Sequence, residues 1–117
     1  MRDEIVCGFI LALLVGLFVF TSHVVGTNTK NVIAAIEQAQ DTGKDYKKVL
    51  DEWKKEKRAL FYICGHGIIM QIDENITLGC EYVKLGKEER ATYMFKKAKV
   101  LLEDLAQREK IKLDNIF

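Results

Sequence analysis

From Ile5 to Gly26 the chain reads IVCGFILALLVGLFVFTSHVVG, 22 residues without one Asp, Glu, Lys or Arg. A helix needs about 20 apolar residues to cross the roughly 30 Å of a bilayer core, and Ile5–Val25 meets that length. The apolar region of an export signal is shorter, about 7–15 residues, and follows a basic flank. Here the flank is MRDE, one Arg against two acids. The stretch therefore reads as a retained membrane anchor, residues 1–26. Val24 and Gly26 are small enough for cleavage after Gly26, which would make the chain a secreted factor instead. Cys7 lies too early, in the context EIVC, for a lipoprotein acylation site. Arg2 flanks the span on one side, and the first cation on the other is Lys30. The positive-inside tendency then puts the amino terminus in the cytoplasm and the remaining domain outside the cytoplasmic membrane. The span holds no acidic or basic side chain for a proton relay, and His23, near its outer end, belongs at headgroup level.

Residues 27–117 suffice for one modest core. They carry 17 Lys and Arg against 15 Asp and Glu, too balanced for a dedicated nucleic-acid binder. There is no proline, and glycines fall at the joints between periodic segments, so the domain reads as helices separated by glycine breaks. Val32, Ile33, Ile36 and Ala39 follow Thr27-Asn28-Thr29 at helical spacing up to Thr42-Gly43, a helix able to continue directly from the anchor. After Asp45, a second stripe runs Tyr46, Val49, Leu50, Trp53, Leu60, Phe61 and Cys64, interrupted by Lys57. It stops at Cys64-Gly65-His66-Gly67. A third carries Ile69, Ile72, Ile76, Gly79 and Val83 and ends at Leu85-Gly86. A fourth follows Lys87 with Ala91, Met94, Phe95, Ala98, Leu101, Leu102 and Leu105. The closing IKLDNIF is expected to fold back on the helices, because Ile111, Leu113, Ile116 and Phe117 are costly to leave in water. Gly43-Lys44-Asp45 recurs 43 residues later as Gly86-Lys87-Glu88, and Asn31-Val32 recurs as Asn75-Ile76. That spacing suggests two αα-hairpins in a repeat-like arrangement.

Few side chains point to chemistry. Cys64, His66 and Cys80 are thiol and imidazole donors that suit zinc, but a structural site wants four ligands. The reading preferred is two reduced core thiols and a histidine at a turn, with no metal and no cofactor. A Cys64–Cys80 bridge is the alternative in an oxidising compartment. Cys64 and His66 stand two apart, which on one helix points them away from each other and removes a nucleophile–base pair. Asp51-Glu52, Asp73-Glu74 and Glu103-Asp104 read as solvated acids, and no phosphate-cradling glycine motif occurs. No catalytic residue is assigned and an enzyme is not expected. Among the aromatics Tyr62 alone breaks the spacing of its helix, so it is expected on the surface. The lysine runs are balanced by acids; within reach of a bilayer they could also face anionic headgroups.

The order of features resembles a known family. A single apolar segment leads to a helix with Trp53, then His66-x-x-Ile69-x-x-Ile72. A helix ending at Leu85 and one with Leu101-Leu102 follow, before the closing Leu113-Asp114-Asn115-Ile116-Phe117. This is similar to a family of small single-pass proteins of Gram-positive, spore-forming bacteria, known as a domain of unknown function. The resemblance implies a membrane-anchored helical domain and brings no activity with it. The apolar run after His66 and the cysteine before it depart from that family's pattern.

The expected fold is therefore all-α: one transmembrane helix, then an antiparallel bundle of about four helices over residues 27–117. The expected function is non-enzymatic. Ile5 to Val25 would contact lipid, and an unidentified protein, not a nucleic acid, would be the partner. Tyr62, Ile116 and Phe117 are the candidate contacts. A ligand- or metal-sensing site around Cys64, His66 and Cys80 is the alternative.

Overall fold

A computed structural model describes residues 2–43 and 46–116, the side chains of Lys112, Leu113 and Ile116 aside. Four helices account for nearly all of them: α1 (Arg2–Thr42), α2 (Tyr46–Cys64), α3 (His66–Lys84) and α4 (Glu88–Ile116). The molecule is a rod of 68 × 21 × 20 Å. Each helix packs on two others, α1 on α2, α2 on α3, α3 on α4 and α4 back on α1. Among the described residues the diagonal backbones make no contact. The result is a closed, up-and-down four-helix bundle.

Heptad spacing explains the closure. In α1 the fully buried positions are Val25, Thr29, Val32, Ile36 and Ala39, separated by alternating fours and threes, which keeps one seam facing the axis. α2 offers Val49, Trp53, Glu56 and Leu60, α3 offers Ile69, Ile72, Ile76 and Gly79, and α4 continues from Ala91 through Phe95, Ala98 and Leu102 to Leu105. The duplication is visible in this register. Val49, Trp53, Glu56 and Leu60 map onto Ala91, Phe95, Ala98 and Leu102 with a shift of 42 positions, and Val25, Val32 and Ala39 map onto Ile69, Ile76 and Val83 with one of 44.

The glycine breaks carry backbone that other residues rarely adopt. Gly65, the single residue between α2 and α3, has φ 82°. Gly86, with φ 75°, closes α3 in a Schellman motif: Lys87 N–H donates to Tyr82 O at 2.8 Å and Gly86 N–H to Val83 O at 3.1 Å. The stop after α2 is shorter than the sequence suggests, since α3 already begins at His66 and holds Gly67 in its first turn.

Two further expectations need correction. The polar interruption in the α2 seam is Glu56, which is 8% exposed. Lys57 lies one position outside the seam, where its Nζ meets Asp73 Oδ1 at 3.1 Å. The closing segment does not fold back. No glycine or proline follows Leu105, and the α4 heptad carries on to a buried Glu109, so α4 runs straight to Ile116 and leaves Ile111 49% exposed. The side chains of Leu113 and Ile116, and Phe117 as a whole, lie outside the described residues.

α1 crosses positions 26 and 27 without a break, so the apolar stretch and the first bundle helix are one helix of 41 residues. The contacts of Tyr46 with Cys80, Trp53 with Asp73 and Phe61 with His66 fix α2 and α3 antiparallel and in step. α3 and α4 have 19 and 29 residues. At 1.5 Å per residue α4 therefore overshoots the α2–α3 turn by about 15 Å. Only α1 extends in that direction, and there Val15, Phe18 and Ser22 are half-buried on the heptad that continues to Val25. The last three turns of α4 thus lie along α1 alone.

Candidate interaction surface

The side chains singled out by their chemistry are distributed over the bundle. Cys80 is buried beside the start of α2, its Sγ 3.7 Å from Tyr46 O. Cys64 is half-buried at the other end of that helix, some 27 Å away along the axis at 1.5 Å per residue. His66 is exposed and stays with Cys64, its ring 4.2 Å from the Phe61 centroid. The fold therefore does not bring the three together. Among the described residues no group of three or more His, Cys, Asp or Glu is arranged to hold a metal ion. The Cys80 thiol has its pKa raised, chiefly because burial disfavours the thiolate.

The polar contact that organises the core is Trp53 Nε1–H donating to Asp73 Oδ1 at 2.9 Å. Trp53 is completely buried, and the neighbouring Lys57 ammonium neutralises the acceptor. Of the acid pairs read from the sequence, Asp73 thus has an internal task. Asp51, Glu103 and Asp104 are exposed.

Three open grooves differ in character. The one between α1 and α2 is mixed, with Ala34, Ala35 and Ala39 beside Asn31, Gln38, Lys48, Asp51, Glu52 and Lys55. A small basic one at the α2–α3 turn gathers Lys54, Lys57 and Arg58 around Phe61, Tyr62 and Met70. Tyr62 is 81% exposed, as its spacing predicts. The third, between α3 and α4, measures about 610 Å³ and is mostly apolar. Leu78, Tyr93, Met94, Val100 and Leu101 form its floor and walls, with Glu74 on the α3 rim and Lys96 and Lys97 on the α4 rim. Tyr93 and Val100 are 58% and 62% exposed, an unusual concentration of large apolar side chains on one face of a small bundle.

This third groove is what reading the sequence missed. Tyr93 stands two positions from both Ala91 and Phe95, off the buried seam, the same signal that marks Tyr62. Val100 is hidden by its neighbours Leu101 and Leu102, of which only Leu102 is fully buried. The groove itself is a product of tertiary register, which pairs the Leu78 face of α3 with the Tyr93 face of α4.

Fold and surface together define a class: a closed antiparallel four-helix bundle carried on an apolar helical extension, with an apolar groove between α3 and α4. The chain belongs to the family described as domain of unknown function DUF4363, matched over residues 20–116. That match takes in all four bundle helices and the end of α4, and leaves out most of the apolar extension. No curated protein and no solved structure matches the chain.

Proposed function

We propose that the chain is a membrane-anchored, non-enzymatic interaction module, with the bundle held against the outer face of the cytoplasmic membrane. The observation that carries the anchor is the continuity of α1. Its upper half is long and apolar enough to cross a membrane, and none of its most apolar window is buried in the molecule. From Ile5 to Phe20 its large side chains are mostly exposed on all sides, which in water would cost many kcal/mol at about 25 cal/mol per Å². Lipid is the surrounding that removes this cost. Arg108, Lys110 and Asp114 on the end of α4, which reaches further along α1 than the α2–α3 turn, then come to headgroup level, and Tyr62 and Arg58 sit a little above it, where aromatic rings and cations are favoured.

Retention of the segment is supported by the bundle itself. Cleavage after Gly26 would remove Val25, a fully buried core residue, and strip α4 of the stretch of α1 it covers. The interaction part of the proposal rests on the apolar groove between α3 and α4. The test is an intact mass of the protein recovered from washed, detergent-extracted membranes. A full-length mass is expected. A mass beginning near Thr27, with the protein in the medium, would sink the anchored reading and leave a secreted factor.

A further inference from the structure

We infer that the partner of the α3–α4 face is a second copy of this chain, in a parallel two-fold dimer; this identifies the partner within the anchored-module reading. The argument is one of charge and symmetry. Along the outer side of α3, Glu74, Leu78 and Glu81 follow one another at helical spacing, all exposed. Along the outer side of α4, Arg90, Tyr93, Lys97 and Val100 do the same. α3 thus offers acids, of which Glu81 is paired with Lys84 of its own helix at 3.8 Å, and α4 offers bases, with apolar side chains between them on both. Glu74, Leu78, Tyr93, Lys97 and Val100 all line one groove.

A two-fold axis parallel to the bundle, lying just outside this face, superposes α3 of one copy on α4 of the other. Acid then meets base, and Leu78 meets Tyr93, at the same height. Among the described residues neither Glu74 nor Lys97 has an ion pair of its own. The Lys97 ammonium instead lies 5.4 Å above the Tyr93 ring, at the rim of the face. An axis along the bundle also keeps both copies of α1 pointing the same way at equal depth, the arrangement that a shared bilayer demands. An axis across the bundle would send the two anchors in opposite directions.

The test measures the mass of the full-length protein in detergent micelles and in lipid nanodiscs, with the wild type, Lys97→Glu, Glu74→Lys and the double variant. The wild type is expected to be a dimer. Each single reversal should set like charges opposite each other and weaken association at least tenfold, while the double variant restores it. Both positions are exposed, so helix content should stay at the wild-type value, the thermal midpoint should fall only by what the lost association contributed, and each variant should still need detergent for extraction. A wild type that is monomeric at every concentration overturns the dimer but leaves the anchor standing. A dimer that survives both single reversals overturns it too, and capture of that dimer by oxidation at Cys7 would put the contact along α1 instead.

Discussion

Gly79 shows how much one missing methyl can matter. A Cβ built there would come within 2.9–3.1 Å of three atoms of the Phe95 ring. That ring is fully buried and stacked on Tyr46 at 4.8 Å between centroids, so it has no room to retreat. Alanine is the better helix former by about 1 kcal/mol, but overpacking a filled core costs typically 1–3 kcal/mol. Gly79→Ala should therefore destabilise the bundle by up to about 2 kcal/mol in thermal or denaturant unfolding. In a Phe95→Leu background, where the obstacle is smaller, the same substitution should be neutral or stabilising. A destabilisation of equal size in both backgrounds would mean that Gly79 is needed for something other than the ring. The sequence could register Gly79 as a position on the α3 stripe. It could not show which aromatic from another helix occupies the space.

Among the elements, α4 is the one whose course differs from the expectation. Its apolar seam was plain from Ala91 to Leu105, and so were the glycine stops at Gly43, Gly65 and Gly86, because those depend on neighbours within a few residues. The fate of the closing segment depended on whether some other helix reached as far, and that is a property of α1, some 90 positions away. With α4 along it, Ser22 has its Oγ buried without a hydrogen-bond partner. A cysteine placed there should report the cover directly. In a Cys7→Ala, Cys64→Ala background, Ser22→Cys should react slowly with a water-soluble maleimide. Removing residues 107–117 should speed that reaction at least tenfold while the bundle stays helical. Cys80 remains slow throughout, because it is buried and its raised pKa keeps the thiolate scarce. Equal rates with and without the segment would show that the end of α4 does not shield Ser22.

For the whole molecule, the consequence of a single 41-residue α1 is that its two halves share one helical phase. An alanine inserted between Leu11 and Ala12 turns only the bare end by about 100°, and should change the unfolding free energy by less than about 0.5 kcal/mol. The same insertion between Gly26 and Thr27 swings Val25 and Ser22 out of the seam. It should cost about 2–4 kcal/mol, the scale of one or two buried apolar side chains. Equal effects at the two sites would argue that the halves are independent. That the bundle closes α4 onto α1 was not readable from local pattern, since two hairpins packed side by side have the same periodicities. The ring also sets an order of events during synthesis. α1 leaves the ribosome first, and the strip of it that α4 covers stays without its mate until the final turns are made. The contact of α1 with α4 joins segments far apart in sequence, so the slowest step of folding should come after α4 has been made. Until then the growing polypeptide would have an unclosed seam, open to a chaperone or to a neighbouring nascent copy.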